Sequence, residues 1–190
     1  RTDLFGDLRA SWGEKTAEEI EAANVQVAVS GRMMLKRVMG KAAFATVRDF
    51  TGEMQYFLSP ADCGEESFKA FKTFDLGDIV AATGTLFRTR RGELSVRVKE
   101  LRLITKSIRP LPEKHKGLQD IEARCRQRYV DLIMNEDSRK RFEVRSKVVS
   151  AIRVFMNKHR FMEVETPMLN PIPGGANAKP FIPHHNALDI

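Results

Sequence analysis

The chain has 190 residues, 42% of them apolar, which is enough to bury a core as one large domain or two small ones, and no apolar run approaches the roughly 18 residues of a membrane span. Lys and Arg outnumber Asp and Glu by 32 to 25, a net charge of +7 that favours a polyanionic partner without naming it. Cys63 and Cys125 lie far apart with no Cys or His at ligand spacing, which argues against a zinc site or a disulfide framework and fits a reducing cytoplasm.

No charged-then-apolar leader opens the chain, and it starts at Arg1 rather than Met, so it reads as a soluble, unexported piece of something longer. Residues 1–24 are expected to be helical and peripheral: "KTAEEIEAAN" holds good helix formers and ends at Asn24. From there the period becomes two. Val25, Val27 and Val29 alternate with Gln26, Ala28 and Ser30 in a half-buried strand that Gly31 allows to bend. "AAFATVRDF" and "EMQYFLS" form the next two strands around a hairpin turn at Thr51-Gly52. "ESFKAFKTF" puts Phe68 and Phe71 on one helical face with Phe74 close by. "IVAATGTLF" and "ELSVRVK" return to strands around "TRRG", with Leu94, Val96 and Val98 on one side and Ser95, Arg97 and Lys99 on the other.

Three strands, a helix and two more strands, with no long helical crossover, fit a five-stranded Greek-key barrel of the oligonucleotide-binding type over residues 25–105. A small sandwich or an SH3-like barrel is the competing reading. Pro110, Pro112 and Gly117 break regular structure in a linker over 106–119. The second region, 120–190, opens with a helix over "DIEARCRQRYVDLIM". A longer one follows from about Ser138, its stripe made of Val144, Val148, Val149, Ile152, Phe155 and Met156. Phe161–Thr166 is expected to be a strand, and Pro167, having no amide hydrogen, ends its pairing or sits at an edge.

The basic residues cluster, Arg32, Lys36, Arg37 and Lys41 in one segment and Arg88, Arg90, Arg91 and Arg97 in another. Phe44 and Gln55 stand on the two arms of one hairpin, with Arg37 expected in a basic loop just before them. An exposed Phe in a basic setting suits a splayed base, whose stacking is worth roughly 1–3 kcal/mol and is blind to sequence. Discrimination then falls to polar neighbours: Gln55 offers a donor and an acceptor, while the ionised Glu93 only accepts and so favours uracil, with its ring N–H, over cytosine. Pattern alone leaves the alternatives open, a core aromatic for Phe44 and plain solvated polarity for Arg37, Gln55 and Glu93.

The second region shows no Ser/His/Asp or Cys/His set, and "GGANAKPF" lacks P-loop spacing. The adjacent His184 and His185 diverge on a strand, which disfavours a paired metal site, and Glu163 and Glu165 share a face without a visible partner. Gly174, Gly175 and Ala176 are small enough for a ligand to reach the backbone, whose carbonyls accept from an ammonium group; a plain loop is the alternative.

Together "VAVSGRMMLKRVMGKAAFATVRDFTGEMQYF", "TRRGELSVRVKELRLITKSIRPLP", "GLQDIEARCRQRYVDLI", "FMEVETPML" and "IPGGANAKPFIPHHNALDI" closely resemble the bacterial lysyl-tRNA synthetases of class II. The resemblance implies an OB-fold anticodon-binding domain followed by the truncated start of a class II catalytic domain. It implies that Phe44 and Gln55 stack on and read the central anticodon base of tRNA(Lys), that Arg37 is a neighbouring basic contact, and that Glu93 meets the first base. Gly174, Gly175 and Ala176 match the segment beside the lysine substrate, and Pro167 ends the first class-defining motif, which builds a homodimer interface. Aspartate-specific relatives carry an acidic residue where this chain has its second glycine. The family's parent enzyme uses ATP and Mg2+ to make lysyl-adenylate and charge tRNA in the cytoplasm. Its second and third motifs would lie beyond Ile190, so this stretch is expected to be inactive, with no cofactor bound. A free-standing single-strand-binding module with a helical dimerisation tail is the alternative function.

Overall fold

Five strands close into a barrel: β1 (Gln26–Met39), β2 (Ala42–Arg48), β3 (Glu53–Leu58), β4 (Ile79–Arg88) and β5 (Leu94–Thr105), ordered β1-β2-β3-β5-β4. The computed structural model describes residues 1–112, 118–170 and 179–189. Every neighbouring pair is antiparallel except β3 and β5, which run parallel and complete the closure. This is the oligonucleotide-binding arrangement that the order of elements predicted, and it excludes the sandwich and the SH3-like barrel. Closure pairs strands distant in the chain and leaves no long free edge.

Alternation sorts the strands into two faces. Ala43, Ala45 and Val47 of β2 and Met54, Tyr56 and Leu58 of β3 are buried inside, while Phe44, Thr46, Gln55 and Phe57 are only partly covered. In β1, Val27 and Val29 point inward, but the register slips between Met33 and Leu35. The irregularity buries Met33 and Met34 in succession and turns Leu35, Arg37 and Met39 to the outer face. Two glycines allow close strand approach: a Cβ at Gly31 would sit 2.4 Å from the Arg48 carbonyl oxygen, and one at Gly84 2.1 Å from that of Arg97.

Helices α1 (Phe5–Trp12) and α2 (Ala17–Ala23) precede the barrel, the second opened by a Thr16/Glu19 capping box and closed by a left-handed Asn24. They were expected to be peripheral, yet Phe5, Leu8 and Ile20 belong to the same core as the strands, and Phe5 meets the Tyr56 ring edge-on at 6.2 Å. Helices this short do not hold themselves in water, so burial of their apolar residues is what fixes them. Between β3 and β4, α3 (Pro60–Cys63) and α4 (Glu65–Lys72) bring Cys63, Phe68, Phe71 and, just after, Phe74 into that core.

After β5, the buried Asp78 accepts from the Ser107 amide at 2.8 Å and from the Lys106 ammonium at 2.9 Å, tying the chain leaving the barrel to the start of β4. The single helix expected over the next segment is two, α5 (Ile121–Arg126) and α6 (Arg128–Met134), broken at Gln127. The break has a cause in charge: Asp131 is fully buried and gathers Arg124 at 2.9 Å, Arg128 at 2.6 Å and Asn135 at 2.6 Å. On a continuous helix, Arg124 and Asp131 would be separated by about 10 Å of rise. Arg48 of β2 donates to the Ile133 carbonyl at 3.0 Å, docking α6 on the barrel.

The chain divides into two units, Arg1–Asn135 and Glu136–Ile190. In the second, α7 (Glu136–Lys158) carries the apolar stripe read from the sequence, with Val148, Ile152 and Phe155 exposed on its surface. Phe161–Thr166 is not a strand: among the described residues of this unit no second strand exists to pair with it. Pro167 follows, exposed and outside regular structure, and Arg153 of α7 holds Glu163 at 2.9 Å.

Candidate nucleic-acid interface

The outward residues of β1, β2, β3 and the β4–β5 hairpin line a cleft of about 550 Å3 whose wall is mostly apolar. Strand pairing assembles it. Arg37 faces Phe44 across β1 and β2, Phe44 faces Phe57 across β2 and β3, and Phe87 of β4 faces Ser95 of β5. The Phe44 and Phe57 rings lie 5.2 Å apart and those of Phe57 and Phe87 5.8 Å apart, a continuous aromatic wall. Phe44 is half-buried with its ring on the cleft, not enclosed in the core. The core alternative for this residue therefore falls, since its neighbours Ala43 and Ala45 point inward.

Arg37, Phe44, Gln55 and Glu93, the four barrel residues singled out from sequence, all line this one cleft. Arg37 is not in a loop as expected; it is a strand residue, because β1 runs on to Met39 and turns only at Gly40 (φ 60°). Gln55 is held by Ser95, which lies on the side opposite Leu94, Val96 and Val98 as the alternation predicts but is fully buried there; its hydroxyl accepts from Gln55 Nε2 at 3.1 Å while donating to the Glu93 carbonyl at 3.2 Å. That leaves Gln55 a second N–H and its carbonyl for the cleft. Glu93 closes the Thr89–Glu93 turn, where Gly92 adopts φ 84° and the Thr89 amide donates to the Glu93 carbonyl at 2.9 Å. Its carboxylate is half-exposed at the rim and takes one bond at Oε1 from Arg9 of α1, at 3.0 Å.

The positive charge separates into structural and available cations. Arg32 donates to the Gly77 carbonyl, and Lys36 reaches the Lys72 and Phe74 carbonyls at 2.7 and 2.6 Å. Burial holds the Lys36 ammonium below its ordinary pKa. Arg88 bonds the Gly13 carbonyl at 2.6 Å and those of Trp12 and Lys15, clamping the end of α1. Arg97 lies over Phe87, its guanidinium 4.8 Å from the ring centroid. Arg37, Arg90 and Arg91 are exposed on the cleft itself. Pattern reading grouped all of these by sequence neighbourhood, and only the fold distinguishes them.

Phe57, Phe87, Ser95 and Arg9 were not singled out from sequence. The two Phe residues alternate in phase with Gln55 and Thr85, and that phase was the available signal; Arg9 had none, because its partners stand far along the chain. Gly174, Gly175 and Ala176 lie outside the described residues. Among the described residues, no group of three His, Cys, Asp or Glu side chains is placed to hold a metal ion, and no helix is long and apolar enough to cross a membrane.

Residues 27–104 match the OB-fold nucleic acid binding domain family, and residues 120–189 match the tRNA synthetases of class II (D, K and N). The chain is 60% identical to a lysine-tRNA ligase of Aeromonas salmonicida and 61% identical to one of Paraburkholderia phymatum, in each case over all of this chain and 37% of the relative. A third, from Methylobacillus flagellatus, is 62% identical over 96% of this chain and 36% of its own length. Along its whole length the chain resembles one part of these lysine-tRNA ligases. It spans about a third of the length of these relatives, the barrel forming the nucleic-acid-binding domain and the residues from 120 onward the start of the class II synthetase domain.

Proposed function

We propose that the outward cleft of the barrel binds the uridine-rich anticodon loop of tRNA(Lys), with 25–105 as the anticodon-binding domain, 106–119 as a linker and 120–190 as the opening of the catalytic domain. The observation that carries this reading is the half-buried Phe44 ring, joined with Phe57 and Phe87 in one apolar wall beside polar and cationic groups. An unstacked uracil lies on Phe44, where Gln55 meets the edge of the central base. Glu93 accepts from the ring N–H of the first base, a position where cytosine presents an acceptor instead. Arg37 supplies a neighbouring cationic contact to the backbone.

For the whole protein, the lysine-tRNA ligase relatives support attack of the lysine carboxylate on ATP to give lysyl-adenylate and pyrophosphate, followed by transfer of the lysyl group to the tRNA 3′ end. ATP and Mg2+ belong to that reading, as do a cytoplasmic location and a homodimer joined through the first motif at Pro167, to which the exposed apolar stripe of α7 is suited. Gly174, Gly175 and Ala176 would lie beside the lysine. Residues 1–190 alone would perform neither step.

The test is binding of a uridine-rich anticodon stem-loop and of its cytidine-substituted counterpart. The expected result is a preference for uridine, with affinity falling about tenfold in Phe44→Ala. Equal affinity for both loops contradicts the reading and favours a generic single-strand-binding module with a helical dimerisation tail. Absence of RNA binding contradicts both.

A further inference from the structure

We infer that Arg9, on the N-terminal helix α1, is a positioning residue for base selection: it fixes the Glu93 carboxylate so that its second oxygen faces an incoming base. The inference rests on the reading of the cleft given above. The Arg9 guanidinium is a rigid fork, with Nε donating to the Glu53 carbonyl at 2.9 Å and Nη2 donating to Glu93 Oε1 at 3.0 Å. The first of these acceptors belongs to the backbone of β3, two residues from Gln55, and cannot drift because it is part of the barrel. The second stands on the rim of the cleft. Among the described residues Glu93 Oε2 has no hydrogen bond, so the pair leaves one carboxylate oxygen oriented and available.

Helix α1 is itself held from several directions. The buried Phe5 packs on Tyr56, the Phe5 amide donates to Asp49 Oδ2 at 3.1 Å, the Gly6 amide donates to Thr51 Oγ1 at 2.8 Å, and Arg88 grips the Gly13 carbonyl. Arg9 is therefore presented from a fixed element, and the rotamer freedom of a rim glutamate is removed before RNA arrives. Stability does not explain the pair. Both partners are nearly half-exposed, 44% and 48%, and exposed ion pairs add little to folding. What the contact does is set the direction of an acceptor beside the aromatic wall.

The experiment measures the ratio of affinities for a uridine stem-loop and for the same loop with cytidine at the first anticodon position, using residues 1–190 and its variants, with thermal unfolding followed in parallel. Arg9→Ala is expected to leave the unfolding midpoint nearly unchanged and to reduce the uridine preference about fivefold. Arg9→Lys, which keeps a donor to one carboxylate oxygen, should recover part of it. In a Glu93→Gln background, Arg9→Ala should change the ratio no further, as expected of a residue acting through Glu93. If Glu93→Gln abolishes the preference while Arg9→Ala preserves it, the positioning role is overturned and the reading of the cleft stands. If the unmodified chain shows no preference, or Glu93→Gln leaves the preference intact, that reading of Glu93 fails and the role of Arg9 fails with it. A fall in affinity for both loops by the same factor in Arg9→Ala would make Arg9 a plain phosphate contact and also overturn the proposal.

Discussion

Tyr56 shows how the two faces of one strand divide their work. Its neighbours Gln55 and Phe57 point to the cleft, while its own ring fills the barrel and its hydroxyl finds no protein partner among the described residues. Burial raises its pKa well above the ordinary phenol range. Removing an unpaired buried hydroxyl should be neutral or stabilising. Tyr56→Phe is therefore expected to unfold at the same temperature as the parent or slightly above, with RNA affinity unchanged, and a clear fall in the midpoint would reveal a partner for that hydroxyl. The same alternation made Phe44 ambiguous in the sequence. A period of two says that Phe44 and Ala45 face opposite ways, but the choice of inward face depends on which residues are small enough to pack the narrow barrel, here Ala43 and Ala45.

At the scale of elements, strands and turns were legible because each rests on local chemistry: alternation in β2 and β3, the glycine at Thr89–Glu93, and the Phe68 and Phe71 face of α4. The slip in β1, the break at Gln127 and the burial of Ser95 were not legible. The slip in β1 and the burial of Ser95 answer to neighbouring strands, through the register against β2 and the Gln55 amide, while the break at Gln127 goes with the burial of the nearby Asp131, which its sequence neighbourhood does not announce. Asp78 is another such junction, and it sets a pH dependence. Burial pushes its pKa up, but the amides of Ser107 and Asp75 and the Lys106 ammonium outweigh that, and the net shift is downward. A carboxyl depressed in the folded state stabilises above its unfolded pKa, and that stability is lost as pH falls through the folded value. Urea midpoints should accordingly drop between roughly pH 5 and pH 2, and Asp78→Asn should lower stability at neutral pH while flattening that decline. An unaltered acid profile in the Asn variant would show that Asp78 is not a principal contributor.

For the molecule as a whole, a net charge of +7 overstates what a nucleic acid would meet. Arg32, Lys36 and Arg88 are committed to backbone carbonyls, whereas Arg37, Arg90 and Arg91 stand exposed on the cleft. With about three phosphates neutralised on a single strand, the log–log salt slope of binding should be near −2. A slope near zero would remove the electrostatic part of the proposal, and a much steeper one would place RNA on the basic residues outside the cleft. The most direct measurement is a titration of aromatic ring signals by NMR with a uridine-rich anticodon stem-loop. Ring resonances of Phe44, Phe57 and Phe87 should shift together, while those of the enclosed Phe68 and Phe71 stay in place. Saturable binding that leaves the three cleft rings unmoved would contradict stacking at this site.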